Sequence, residues 1–153
     1  MEVVLYRIDE RLIHGQVMVA WISKTGANSV VIVDANFAKD EFMKQVFQLA
    51  APSGIKVDVT DVSEFRKMAG SSDSRKAIVL FKGPGEALNA LCEDVPVAEL
   101  IVGNVATTAG RSKYTKYAYL SDEEKEMLSE LQRLGWAVNM QLLPDDTKSE
   151  FKK

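Results

Sequence analysis

One cysteine and one histidine are all that this chain of 153 residues holds of either type, and each scarcity narrows its chemistry. Cys92 alone allows no intramolecular disulfide and no cysteine-based zinc site. His14 is the only address for imidazole chemistry. No apolar run approaches the roughly 20 residues that a membrane helix needs. The start Met1-Glu2-Val3-Val4 lacks the basic segment and apolar core of an export signal, which together with the lone cysteine points to a reducing cytosol. Neither charge sign dominates: 19 Lys and Arg against 22 Asp and Glu leave a formal charge of -3. Broad binding to nucleic acid or to anionic membrane therefore has no electrostatic support. Internal repeats, low-complexity tracts and linkers are missing too. No GxxxxGK followed by Ser or Thr occurs, which excludes a P-loop.

Hydrophobic residues at 46% and charged residues at 27% give the profile of a globular domain, not of a disordered chain. The length suits one domain over residues 1–153, with roughly 70% of the unfolded surface buried. Apolar β-rich runs at 3–8, 30–33, 77–81 and 100–102 read as strands. The run at 30–33 is continuously β-branched, as in a strand buried on both faces. Residues 55–59 alternate apolar and charged side chains, which suits an edge, and residues 136–142 alternate cleanly as a last strand. Residues 114–120 are a further strand candidate, and the polar tail from Pro144 reads as a short helix or a frayed end.

Helical spacing spans 16–24, with Val17, Ala20 and Trp21 on one stripe, and 39–50, with Phe42, Val46, Leu49 and Ala50 on one stripe. Helices are also expected from Asp61 to Ala69, over 86–92 with Cys92 packed in the core, and over 121–134. Ser121 opens the last with Glu124 three residues on, and Gly135 stops it. This alternation predicts an α/β fold: an open, mostly parallel twisted sheet with helices on both faces, with one antiparallel edge strand allowed.

Ligands of such sheets sit beyond the carboxyl ends of the strands. Four connections lie there: residues 9–15, 34–36, 83–85 and 103–108. The first places Asp9, Arg11 and His14 within six residues, between a strand and a helix opened by Gly15. A phosphate on His14 would face the free N–H groups of Gly15, Gln16 and the rest of that helix's first turn. Arg11 would clamp it in bidentate fashion and favour the neutral ring that a nucleophile needs, while Asp9 would hold the other ring nitrogen and fix the tautomer. Gly15 would let backbone approach closely. The bland alternative makes His14 a helix cap and pairs Arg11 with Asp9 on the surface.

Other signals are weaker. Gly83-Pro84-Gly85 begins like a dinucleotide fingerprint, but Leu88 stands where the third glycine belongs, so it reads as a tight turn. Asp34, Asp58 and Asp61 fit strand ends and caps better than a metal site. Arg111, Lys113 and Lys116 form a small basic cluster, in character a solvated loop that an acidic partner would fit. Asp34, Gly83 and Asn104 are the expected site-lining positions of the remaining loops.

The stretch Arg7-Ile8-Asp9-Glu10-Arg11-Leu12-Ile13-His14-Gly15-Gln16-Val17 closely resembles the signature of the IIB component of the mannose/fructose/sorbose class of the bacterial phosphotransferase system. Glu10 stands where that family usually carries a second Asp. Val33-Asp34-Asn36, Phe81-Lys82-Gly83-Pro84, Gly103-Asn104-Val105 and Tyr119-Leu120-Ser121 resemble family positions as well. The resemblance implies that His14 accepts a phosphoryl group from the phosphohistidine of a IIA protein and passes it to a sugar entering through the membrane IIC and IID proteins. Arg11 and Asp9 match the family's active-loop arginine and aspartate, and Nδ1 is the family's phosphorylated nitrogen. No metal or organic cofactor is implied. A cytoplasmic protein, peripherally associated with its transporter and not fused to IIA, is the expectation, and a homo-oligomer is left open. Two other readings compete: a regulatory binding module whose phosphorylation at His14 controls a partner, and, last, a small nucleotide- or flavin-binding domain.

Overall fold

The structure is a computed structural model that describes all residues, 1–153. Along the chain run β1 (Glu2–Ile8), α1 (Gly15–Thr25), β2 (Ser29–Val33), α2 (Ala35–Ala38), α3 (Glu41–Ala50), β3 (Lys56–Thr60), α4 (Val62–Ala69), β4 (Lys76–Phe81), α5 (Pro84–Leu91) and β5 (Glu99–Val102). A short hairpin of β6 (Ser112–Lys113) and β7 (Tyr119–Leu120) follows, then α6 (Asp122–Arg133), β8 (Ala137–Met140) and β9 (Ser149–Glu150). Seven strands form one sheet in the order β3-β2-β4-β1-β5-β8-β9. All pairs in it are parallel except β8 with β9, which is antiparallel at the edge. This is the expected α/β architecture.

The two-residue period of a strand sorts the core into two layers. On β2, Val30 and Ile32 join Leu12, Ile13, Met18, Trp21 and Phe47 on one face. Val31 and Val33 join Phe65, Ala90, Leu91, Leu128 and Leu131 on the other. So α1 and α3 cover one face, and α4, α5 and α6 cover the opposite one. Each fully buried Leu, Ile or Phe contributes roughly 1.5–3 kcal/mol. Central β1 lies between β4 and β5, whose following helices leave on the face opposite α1. The loop after β1 therefore opens where the connections diverge, the usual ligand position in such sheets.

Local sequence accounts for most boundaries. Asp40, Asp61 and Ser121 cap their helices by accepting from backbone N–H groups, and Ser121 with Glu124 forms a complete capping box. Gly26 ends α1 in the left-handed conformation. Gly83 precedes Pro84 at the first position of α5, so the glycine–proline turn is a helix start.

Several expectations change. The helix expected over 39–50 starts at Glu41, after the separate short α2. Its stripe of Phe42 and Leu49 faces outward, at 72% and 85% exposure, while Phe47 is buried. Phe47 meets Phe37 of α2 edge-on at 5.1 Å, a contact from outside the helix that chooses between its two apolar stripes. Cys92 is exposed at the end of α5, where its Sγ lies 3.8 Å from the Arg66 guanidinium. Of residues 114–120, only Tyr119 and Leu120 are strand. The polar tail is neither helical nor frayed: Phe151 anchors it in the core and β9 pairs with β8.

The outer edge of β3 is covered by a side chain. The Gln48 amide donates to the carbonyl of Ile55 and accepts from the N–H of Val57, the bonds a neighbouring strand would make. Replacing Gln48 with Ala is expected to cost about 1 kcal/mol and to promote edge-to-edge association. The urea midpoint and light scattering of Gln48→Ala check both effects.

Candidate active site

The loop after β1 is held by backbone before any side chain acts. Asp9 N–H donates to the carbonyl of Phe81, Glu10 N–H to that of Asn104, and Leu12 N–H to that of Asp9. Leu12 has a left-handed φ of 55°, a conformation costly for a branched side chain. Burial of Leu12 and Ile13 against the α1 face offsets that cost.

Asp9 is buried to 1% exposure at the centre of the loop. Its Oδ1 accepts from Arg11 N–H at 3.0 Å. Its Oδ2 accepts from Arg7 Nη2 at 3.4 Å and lies 3.1 Å from Nε2 of His14. A carboxylate only accepts, so the neutral imidazole carries its proton on Nε2 and leaves the lone pair of Nδ1 free. No cavity is lined by His14. The ring is part-buried, with 12% of the side chain exposed.

Arg7, a strand residue at the start of the signature stretch with no role of its own expected, supports this arrangement. It is fully buried on central β1. Its Nη1 donates to the carbonyl of Gln141 at 3.0 Å and its Nη2 to that of Leu142 at 2.9 Å, while its guanidinium lies 5.1 Å from the Trp21 ring. Trp21 Nε1 donates to the same Leu142 carbonyl. Burial pushes the Arg7 guanidinium below its ordinary value, and Asp9 pulls it back up. Gly103 makes the room, because a Cβ there would overlap the guanidinium. One signal was legible: Arg7 and Asp9 stand two apart, hence on the same side of an extended chain.

His14 is the N-cap of α1 but makes no side-chain cap bond. The N–H groups of Gly15, Gln16 and Val17 have no acceptor, and the first turn of α1 carries no acidic residue. Three donors and the positive end of the helix dipole thus stand open beside the histidine. Gly15 has φ 38° with nothing near its missing Cβ, so conformation and not close packing requires the glycine.

The side chain of Arg11 is exposed and pairs with nothing, so the surface pair with Asp9 does not form; Asp9 is committed inward to Arg7 and His14. Asn104 touches the loop through its carbonyl. Asp34 spends its side chain on the cap of α2 and borders a separate cavity of about 210 Å³ with Asn36 and Glu86. Gly83 caps α5 and does not reach the histidine's hydrogen bonds. Asp61 caps α4 and Asp58 pairs with Arg75, and no group of three or more His, Cys, Asp or Glu is placed to hold a metal. In the basic cluster, Lys113 and Lys116 are exposed, but Arg111 is bound internally by Glu10 and Glu124. Burial alone would raise the Glu124 carboxyl, yet hydrogen bonds from Arg111 and Ser121 and the arginine's charge bring it below its ordinary value.

The chain matches the family described as PTS system sorbose subfamily IIB component over residues 3–153. It is 28% identical to the sorbose-specific EIIB component of Lacticaseibacillus casei, over 99% of this chain and 93% of that protein. It is 29% identical to the fructose-specific EIIB component of Bacillus subtilis, over 99% and 94%. The crystal structure of the IIBSor domain of the sorbose permease from Klebsiella pneumoniae superposes with a TM-score of 0.91 at 28% identity, over 98% of this chain and 93% of that one. The chain belongs to the sorbose-subfamily IIB components of the phosphotransferase system. No helix is long and apolar enough to cross a membrane.

Two expectations follow from this geometry. Gly103→Ala must displace Arg7 from its carbonyls and is expected to cost about 1–3 kcal/mol, read as a shift in the denaturant midpoint. Glu124 titrates below its unfolded value, so its contribution to stability is complete above that unfolded value and is lost as pH falls through the folded one. Unfolding midpoints of Glu124→Gln measured between about pH 3 and pH 7 are expected to lack that part of the acid dependence.

Proposed function

We infer that this protein is a phosphocarrier. His14 accepts a phosphoryl group from the phosphohistidine of a IIA protein and delivers it to a sugar entering through membrane IIC and IID proteins. The observation that carries the reading is the pairing of His14 Nε2 with buried Asp9, which leaves Nδ1 as the free nucleophile of a part-buried ring. In the transfer, Nδ1 forms a bond to phosphorus as the donor's N–P bond breaks, and the departing imidazole keeps that electron pair. His14 retains its proton on Nε2, and Asp9 stabilises the positive charge that the ring gains. The charge on the phosphoryl oxygens meets the unpaired N–H groups of Gly15, Gln16 and Val17, and Arg11 is free to swing onto them. Delivery repeats the step with a sugar hydroxyl as the nucleophile, its proton passing to solvent.

The lack of a surrounding cavity suits this role, because two proteins must reach His14 in turn. Such a carrier acts in the cytoplasm, at the inner face of its transporter. Asp34, Gly83 and Asn104, proposed as lining the site, divide accordingly: Asn104 borders the active loop, and the other two belong to neighbouring helix starts.

Intact mass after incubation with phosphoenolpyruvate, enzyme I, HPr and a mannose-class IIA protein tests the reading. The wild type is expected to gain one phosphoryl group and His14→Ala none, whereas an unmodified wild type overturns it. Asp9→Asn is expected to accept phosphate about 100-fold more slowly, since the ring loses its fixed tautomer. Sugar phosphorylation with membranes holding IIC and IID then separates a carrier from a regulatory module.

A further inference from the structure

Residues 103–121, which include the β6–β7 hairpin, lead from the end of β5 to the cap of α6. Val105, Ala118 and Leu120 root this excursion in the core, and a bridge between Val105 and Ala118 closes its base. Arg111 reaches back from it to two carboxylates of distant origin. Its Nε and Nη2 donate to the two oxygens of Glu124, both at 2.9 Å. Its Nη1 donates to Glu10 Oε1 at 3.2 Å and to the carbonyl of Ala106 at 2.8 Å.

Both carboxylates are themselves anchored. Glu124 Oε1 accepts from the N–H of Ser121 in the capping box of α6. Glu10 Oε2 accepts from the N–H of Ala106 at 2.8 Å, while Glu10 N–H donates to the carbonyl of Asn104. Glu10 thus spans two donors with its two oxygens, at the position where the family usually carries the shorter Asp. Its neighbour Asp9 points the other way, into the core, to hold His14. The peptide between these acids is gripped from both sides: inward by Arg7, and outward by Arg111 through Glu10.

We propose that Arg111 is a positioning residue for phosphoryl acceptance, holding the 9–14 loop in register through Glu10 so that His14 Nδ1 is presented to its donor. The proposal rests on the phosphocarrier reading and extends it to a residue outside the signature. Removing the guanidinium leaves two carboxylates facing each other with no cation between them. The loop then keeps only its backbone bonds and the bond from Ala106 N–H to Glu10 on that side, and the pair of Asp9 and His14, less firmly held, opens part of the time.

The experiment compares the wild type, Arg111→Met, Glu10→Gln and the double variant. Glu10→Gln keeps an acceptor for Ala106 but removes the charge. Three readouts are taken: amide hydrogen exchange over 9–16, the ¹⁵N imidazole spectrum, which contains only His14, and single-turnover transfer from phosphorylated IIA. In Arg111→Met, loop exchange is expected to rise and the ring spectrum to lose its single fixed tautomer. Maximal transfer is expected to fall about tenfold, with the half-saturating donor concentration unchanged, because orientation and not docking is lost. Glu10→Gln is expected to show the same pattern, and the double variant to be no slower than the worse single one. Unchanged loop exchange and an unchanged ring spectrum in Arg111→Met overturn the proposal, even if its melting temperature drops. A wild type that accepts no phosphate overturns the carrier reading instead, and the exchange and ring spectra still decide whether Arg111 holds the loop.

Discussion

A guanidinium buried in the middle of a parallel sheet is the constraint on which the site depends. Desolvating Arg7 is costly, and its position is tolerable because a carboxylate and two backbone carbonyls receive N–H groups of Nη1 and Nη2 and an indole lies across its face, although its Nε has no partner. These partners come from four places: Asp9, Gln141, Leu142 and Trp21. The need to satisfy one cation therefore joins the active loop to α1 and to the end of β8. Gly103 belongs to the same requirement, since only a residue without a side chain lets the guanidinium pass.

From that pair the geometry of His14 follows. Asp9 is fixed by Arg7 on Oδ2 and by the N–H of Arg11 on Oδ1, and the other lone pair of Oδ2 faces the imidazole. A ring held at Nε2 leaves Nδ1 without a partner at a helix start where the N–H groups of Gly15, Gln16 and Val17 are unspent. The other helices contrast with it: α3 and α6 begin with a side-chain cap and acidic residues in the first turn. Only α1 combines an uncapped start with a histidine at the cap and no acid in its first turn. Its first turn forgoes the stabilisation of a cap and offers its N–H groups to an anion instead.

The strained loop is kept rigid by burial rather than by a lid. Leu12 takes its left-handed conformation because its side chain and that of Ile13 fill the core under α1. The edges of the sheet are managed in a similar way. Gln48 completes the bonds of β3, and β9, anchored by Phe151, covers β8.

Local sequence determined the elements and the centre of the site. Strand composition, Ser and Asp caps, and glycine stops are short-range effects, so the five central strands, the α6 capping box and the α1 start were legible. The dense Asp9, Arg11 and His14 cluster was legible too, because a chemistry-bearing loop at a strand end is itself a local pattern. The tertiary structure alone decided which partners those residues take. Asp9 took buried Arg7 as well as the expected His14 and left the Arg11 side chain unpaired, Phe47 displaced Phe42 as the core residue of α3, Phe151 ordered a polar tail, and Arg111 left a nominal basic cluster to join Glu10. In each case the deciding contact comes from a segment outside the residue's own element. A hydrogen bond or a packed ring has no signature in the spacing of residues on one element, and exists only once the sheet brings the two together.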